Sequence, residues 1–182
     1  PHAQRLKKIK TSTIGLIVPE LTHHFYSRII KGVDSVLDEI GYQQIICVSN
    51  EEFEKEQKAA QALLNARVDG LLVALSNETE EFDHIKALVD EEIPIVFLDR
   101  VCEDINAPYV MTDDFEGAKM ASAYLIDKGS SNIAFFHGPE NISTSFSRFM
   151  GYKEALKGRS IAFNEELVVR ETENKKIAEN FS

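Results

Sequence analysis

Apolar positions along the chain alternate between short continuous runs and runs spaced three and four apart. Thr13–Val18 (TIGLIV), Gln44–Val48 (QIICV), Leu71–Leu75, Ile95–Leu98 (IVFL) and Tyr109–Thr112 (YVMT) have the length and β-branched content of buried strands. Between them, Phe25, Ile29, Val33, Val36, Leu37 and Ile40 recur at helical spacing, ended by Gly41. Ala59, Leu63, Leu64 and Val68 mark a second helix, starting near Glu51 with Ser49 or Asn50 as its cap. Phe82, Ile85, Leu88 and Val89 mark a third, closed before Pro94. The rhythm then repeats: a helix over Gly117–Ile126 with Asp114 as its N-cap, a strand over Asn132–Phe136, and His137-Gly138-Pro139 as a turn. A helix over Phe146–Leu156, a strand over Glu166–Val169 and the start of a helix at Lys175–Asn180 complete the pattern. Uninterrupted apolar strands alternating with amphipathic helices predict an α/β fold, its parallel sheets covered by helices on both faces.

Ligands of such sheets bind beyond the carboxyl ends of the strands. Those ends are Pro19–Phe25, Ser49-Asn50, Ala74–Asn77, Asp99-Arg100, Asp113 and His137–Thr144. No glycine-rich dinucleotide loop, phosphate loop, nucleophile elbow or zinc-protease pair lies there, so no enzyme and no cofactor is expected. His23-His24 reads as part of a loop or ligand wall rather than a metal site.

The 182 residues are 43% hydrophobic and 27% charged, which suits one large domain or two small lobes. No apolar run is long enough for a membrane helix, and no secretory segment is visible. Cys47 and Cys102 form no metal-binding or disulfide-like spacing, which favours a reducing compartment. Net charge is −10, yet residues 1–12 carry +4 through Arg5, Lys7, Lys8 and Lys10, leaving −14 on the remainder. Bulk nucleic-acid binding by this acidic globule is not expected.

Five segments in order carry a resemblance: TIGLIVPELTHHFY, RVDGLLV, IPIVFLDR, VMTDDFEGAKMASAYLIDKGSSNIAFFHGP and RFMGYKEAL. Together they resemble the LacI/GalR family of bacterial transcription regulators over about residues 3–170. The resemblance implies a two-lobed periplasmic-binding-protein-like fold with a small-molecule effector in the cleft, and cytoplasmic homodimers acting on operator DNA. It divides the chain into a hinge arm (1–12), an N-terminal lobe (13–112) and a partial C-terminal lobe (113–182). The family's DNA-reading helix-turn-helix and the last part of its second lobe are absent from this chain, so the second lobe is expected to be incomplete. Ala3-Gln4-Arg5-Leu6 looks like the family's hinge, which makes Leu6 a minor-groove wedge and Arg5 its basic neighbour. Arg148 matches the family's cleft arginine and Asp99 the aspartate ending the fourth strand. A guanidinium fork and a carboxylate suit the adjacent hydroxyls of a sugar or sugar derivative. His23, Phe25 and Tyr26 would wall the site, and Thr144 would add a hydroxyl. An exported sugar-binding protein of the same fold and a flavodoxin-like or sugar-processing enzyme are the competing readings. The basic arm favours the regulator over the first, and the missing catalytic set disfavours the second.

Overall fold

The computed structural model describes residues 10–22, 24–102, 104–139 and 142–170. These form two compact units that divide after Val110. The first contains β1 (Thr13–Val18), α1 (His24–Ile40), β2 (Gln43–Val48), α2 (Phe53–Asn65), β3 (Gly70–Val73), α3 (Asp83–Asp90), β4 (Ile95–Leu98) and β5 (Tyr109–Val110). Its strands make one parallel sheet in the order β2-β1-β3-β4-β5. The order reverses direction between β1 and β3, the switch point at which open α/β sheets leave a crevice.

Period-two alternation assigns the two faces. Ile17, Leu71, Val73, Ile95 and Phe97 pack with Ala59, Ala60 and Leu63 of α2 and Ile85 and Leu88 of α3. Leu16, Val18 and Leu98, with Leu72 and Val96, pack with Tyr26, Ile29 and Ile30 of α1. Gly15 lets α2 close onto β1, because a Cβ there would sit 2.8 Å from Leu63 Cδ1. Cys47 and Cys102 are free thiols.

The second unit contains α4 (Asp114–Asp127), β6 (Phe135–His137), α5 (Ser143–Lys157), a 3₁₀ turn (Glu165–Leu167) and β7 (Val168–Arg170). β6 and β7 pair in parallel. The Tyr152 ring stacks on Phe135 at 5.0 Å, and its hydroxyl donates to Ile133 O at 2.9 Å. Helices α4 and α5 meet backbone to side: a Cβ on Gly151 would lie 2.2 Å from Phe115 O.

Several boundaries differ from the periodicity. Helix α1 buries Tyr26 and Leu37 and leaves Phe25, Val36 and Ile40 exposed, so its inward stripe is turned from the predicted one. No side-chain cap holds α2, which begins after Glu52 rather than after Ser49 or Asn50. β5 ends at Val110 instead of Thr112. His137 is the buried last residue of β6, not a turn residue. The cap of α4 is Asp113, whose carboxylate accepts from Glu116 N at 3.0 Å, while Asp114 is the first helical residue. The predicted Lys175–Asn180 helix lies outside the described residues, as do Arg5 and Leu6 of the arm.

One buried carboxylate organises the loop after β3. Glu56 of α2 is fully buried and accepts from Ser76 N at 2.5 Å, Thr79 Oγ1 at 2.9 Å and His84 Nε2 at 2.8 Å. Burial alone would raise its pKa, but the bonds from His84, Ser76 and Thr79 outweigh burial and lower it. Glu56 therefore contributes stability above the ordinary carboxylate pKa of about 4.3, and the contribution is lost as pH falls through the lowered folded value. Glu56→Gln is expected to cost about 1–3 kcal/mol at neutral pH and to flatten the acid limb of stability against pH, as read by urea unfolding. Gly151→Ala is expected to destabilise the second unit by at least about 1–3 kcal/mol, since a backbone carbonyl cannot move aside as a side chain can. Thermal melts followed by circular dichroism would show it as a lowered transition.

Candidate functional site

At the carboxyl end of the first unit's sheet, four chain segments converge on Asp99 and Arg100. Asp99 follows β4 with a left-handed backbone at φ 64°, inside a tight turn closed by Arg100 N donating to Leu98 O at 2.6 Å. A positive φ in a residue with a side chain is strained, and it persists only where its neighbours hold it. Here Asp99 N also donates to Val110 O at 2.9 Å, and Tyr26 Oη donates to Asp99 Oδ2 at 3.1 Å. The Tyr26 hydroxyl is pushed well above the ordinary phenol range by burial, which the nearby Arg100 charge only partly opposes. Tyr26 is thus a neutral donor aimed at the carboxylate. Phe25 packs edge-on against Tyr26, with centroids 5.1 Å apart, and leaves its outer surface to solvent. At 44% exposure Phe25 is not a core residue, although its helical spacing with Ile29 suits one.

Arg100 turns away from Asp99. Its Nη1 and Nη2 donate to the Glu51 carboxylate at 2.7 and 2.9 Å, and Nη1 also donates to Leu75 O at 2.6 Å. The nearest Asp99 oxygen is 3.9 Å from Nε. Burial works against the Arg100 charge, but the bond to Glu51 outweighs it and raises the pKa. Glu51 also accepts from Asn77 N at 2.7 Å. The loops after β2, β3 and β4 are thereby fastened to one guanidinium. The family resemblance singled out Asp99, but Glu51 was missed as a site residue, because it lies 49 positions from its partner Arg100 and nothing local pairs them.

In the second unit, Arg148 and Thr144 sit one turn apart on α5. Thr144 is buried, whereas the Arg148 side chain is 54% exposed. Arg148 Nε donates to Asp114 Oδ1 at 2.6 Å, and the Asp114 side chain is only 6% exposed. Asp114 Oδ2 accepts from Thr112 Oγ1 at 3.2 Å. Asp114, expected as a cap, is instead the partner of the predicted ligand arginine. His137 closes the same end of β6, its Nδ1 2.7 Å from Gly138 O and 3.4 Å from Ser145 Oγ.

The opposite, amino end of the first sheet carries a different contact. The Asp69 carboxylate accepts from Thr11 N at 3.0 Å and Ser12 N at 2.9 Å, and Thr11 Oγ1 donates to Arg67 O at 3.1 Å. The Thr11 backbone bond is the main reason the Asp69 pKa is lowered. The RVDG segment therefore ties down the last residues of the basic arm.

Of the predicted site residues, Tyr26 and Asp99 are in contact, Phe25 adjoins them, and Arg148 and Thr144 share a helix face. His23 lies outside the described residues. Among the described residues no group of three His, Cys, Asp or Glu side chains is placed to hold a metal ion. No described helix is long and apolar enough to cross a membrane.

Comparison with known proteins places the chain. It is 34% identical over 169 residues to the HTH-type transcriptional repressor PurR of Vibrio atlanticus, covering 92% of this chain and 50% of that protein. It is 33% identical over 154 residues to the ribose operon repressor of Halalkalibacterium halodurans, covering 84% of this chain and 45% of that one. The chain thus spans about half the length of these relatives. Among solved structures, the Cra transcriptional dual regulator of Pseudomonas putida in complex with fructose 1-phosphate is similar, with a TM-score of 0.77 at 29% identity. That match covers 88% of this chain and 57% of that one. Residues 11–181 match the family model of periplasmic binding proteins and the sugar binding domain of the LacI family, and the chain belongs to that family.

Proposed function

We propose that this chain is the effector-binding and dimerisation core of a LacI-type transcription regulator that senses a sugar or sugar derivative in the cytoplasm. The observation that carries the reading is the Tyr26–Asp99 pair, oriented at the carboxyl end of a parallel sheet beside the exposed Phe25 ring. Asp99 offers acceptor oxygens to ligand hydroxyls, and Phe25 offers an apolar face to a sugar ring. In the second unit Arg148 and Thr144 supply donors, and residues 113–182 belong to the second lobe. Loop residue His23 is included as a further wall. Operator DNA is read by a domain outside this chain, with Leu6 and Arg5 of the hinge contributing a wedge and a phosphate contact.

The mechanism is linkage rather than catalysis. An effector shifts the protein only as far as it binds one conformation better than another, and its influence on DNA affinity is reciprocated. The Asp69 clamp on Thr11 and Ser12 supports this reading, since it joins the sheet to the chain leading into the hinge arm. A two-fold operator is matched by a two-fold dimer. Exposed Val36 and Ile40 on α1, with Ile46 on the same face of edge strand β2, support a self-complementary apolar surface in the first unit.

Two outcomes test the reading. In the full-length protein, neutral pentoses and hexoses are screened by thermal shift and the responding sugar is titrated by calorimetry. Arg148→Ala is expected to weaken its affinity by about 1.5–3 kcal/mol and to abolish the effect on operator binding, while operator affinity without sugar stays the same. An unchanged dissociation constant removes Arg148 from the site. The 182-residue chain by itself is expected not to bind an operator-like duplex at physiological salt, because the +4 arm stands against −14 on the remainder. Tight, salt-resistant binding in a fluorescence anisotropy titration would place the DNA-reading surface inside this chain.

A further inference from the structure

We propose that Asp114 positions Arg148 and offsets its charge, so that this subsite takes uncharged polyhydroxy ligands and disfavours phosphorylated or carboxylated ones. The inference rests on reading Arg148 as an effector contact and adds to it the ligand's charge class and the residue that sets it.

The mode of pairing is the first ground. Arg100 spends both Nη atoms on Glu51, and Arg159 spends Nε and Nη2 on Asp127. Arg148 spends only Nε, on Asp114. Its four Nη hydrogens meet no partner among the described residues, and its side chain is half exposed while the acid behind it is buried. The carboxylate therefore holds the guanidinium by its inner edge and leaves the outer edge to a ligand. Asp114 is itself held: it starts α4, where the unpaired N–H groups of the first turn favour a carboxylate, and Thr112 donates to its second oxygen.

Charge is the second ground. An anion on the outer edge would lie about 4 Å from the guanidinium centre and roughly 8 Å from the Asp114 carboxylate, so repulsion removes about half of the attraction. A hydroxyl group, which carries no net charge, keeps the same Nη donors and loses little. A bare arginine grips phosphate through two charge-assisted bonds, whereas the backed arginine is a sugar-hydroxyl donor. Arg100, just after β4, and Arg170, the last residue of β7, are likewise paired with acids, Glu51 and Glu165. Neither unit offers an unneutralised strand-end arginine among the described residues.

Asp114→Asn separates charge from geometry, because its side-chain oxygen still accepts from Nε. The test uses inorganic phosphate on the full-length protein, with thermal melts in phosphate against chloride at equal ionic strength. Wild type and Arg148→Ala are expected to respond alike, with no phosphate-specific stabilisation. Asp114→Asn is expected to bind phosphate roughly tenfold more tightly than wild type, raising its melting temperature, and the double variant with Arg148→Ala to lose that gain. The proposal is overturned if phosphate stabilises wild type but not Arg148→Ala, or if Asp114→Asn gains nothing. The wild-type and Arg148→Ala arms decide even where Asp114→Asn fails to fold. A merely structural Asp114 would lower stability in both anions equally and create no phosphate response. If Arg148→Ala leaves neutral-sugar affinity unchanged while Asp114→Asn still gains phosphate, the effector assignment falls and the role of Asp114 stands.

Discussion

Parallel pairing of β1 with both β2 and β3 is the constraint on which the first unit depends. A parallel sheet must return its chain across a face before the next strand can begin, so β1, β2 and β3 are each followed by a covering helix, while β4 returns to the edge strand β5 through a loop. All strand carboxyl ends therefore share one edge of the sheet. Loops distant in sequence meet there, and their polar residues need partners. Gly15 makes the close packing possible by letting Leu63 of α2 rest on the centre of β1.

At that edge, Arg100 acts as a fastening point. A single guanidinium reaches the Glu51 carboxylate and the Leu75 carbonyl, so it ties the loops after β2, β3 and β4 to one another. The left-handed backbone of Asp99 is tolerable because bonds from Tyr26 and to Val110 hold it on either side. The resulting carboxylate is largely buried, held by the Tyr26 hydroxyl and only loosely paired with Arg100 Nε at 3.9 Å. Preorganisation of this kind lowers the ordering cost of binding a small, flexible ligand. The second unit uses different means to the same end. Gly151 allows α4 and α5 to approach until Asp114 on one reaches Arg148 on the other.

The parallel α/β order was legible in the residues, because apolar period and punctuation by Pro19, Gly41, Pro94 and Gly129 are local properties, and the family was legible through the resemblance carried by five ordered segments. Boundaries were legible only where a breaker stood. The inward stripe of α1 was not, since Phe25 and Tyr26 are adjacent and nothing in their spacing says which one faces the sheet. Asp114 was expected as the cap of α4, and the structure puts Asp113 there instead, because its carboxylate is the one that reaches the Glu116 N–H.

What the sequence determined by itself was the alternation of elements, the list of strand ends and the residue types available there. Only the tertiary structure decided the pairings: Tyr26 with Asp99, Glu51 with Arg100, Glu56 with His84, Asp69 with Thr11, and Asp114 with Arg148. Each joins residues 28 to 73 positions apart. The physical reason is that periodicity records how one element meets the core, whereas an ion pair or a buried hydrogen bond depends on which elements the sheet order brings side by side.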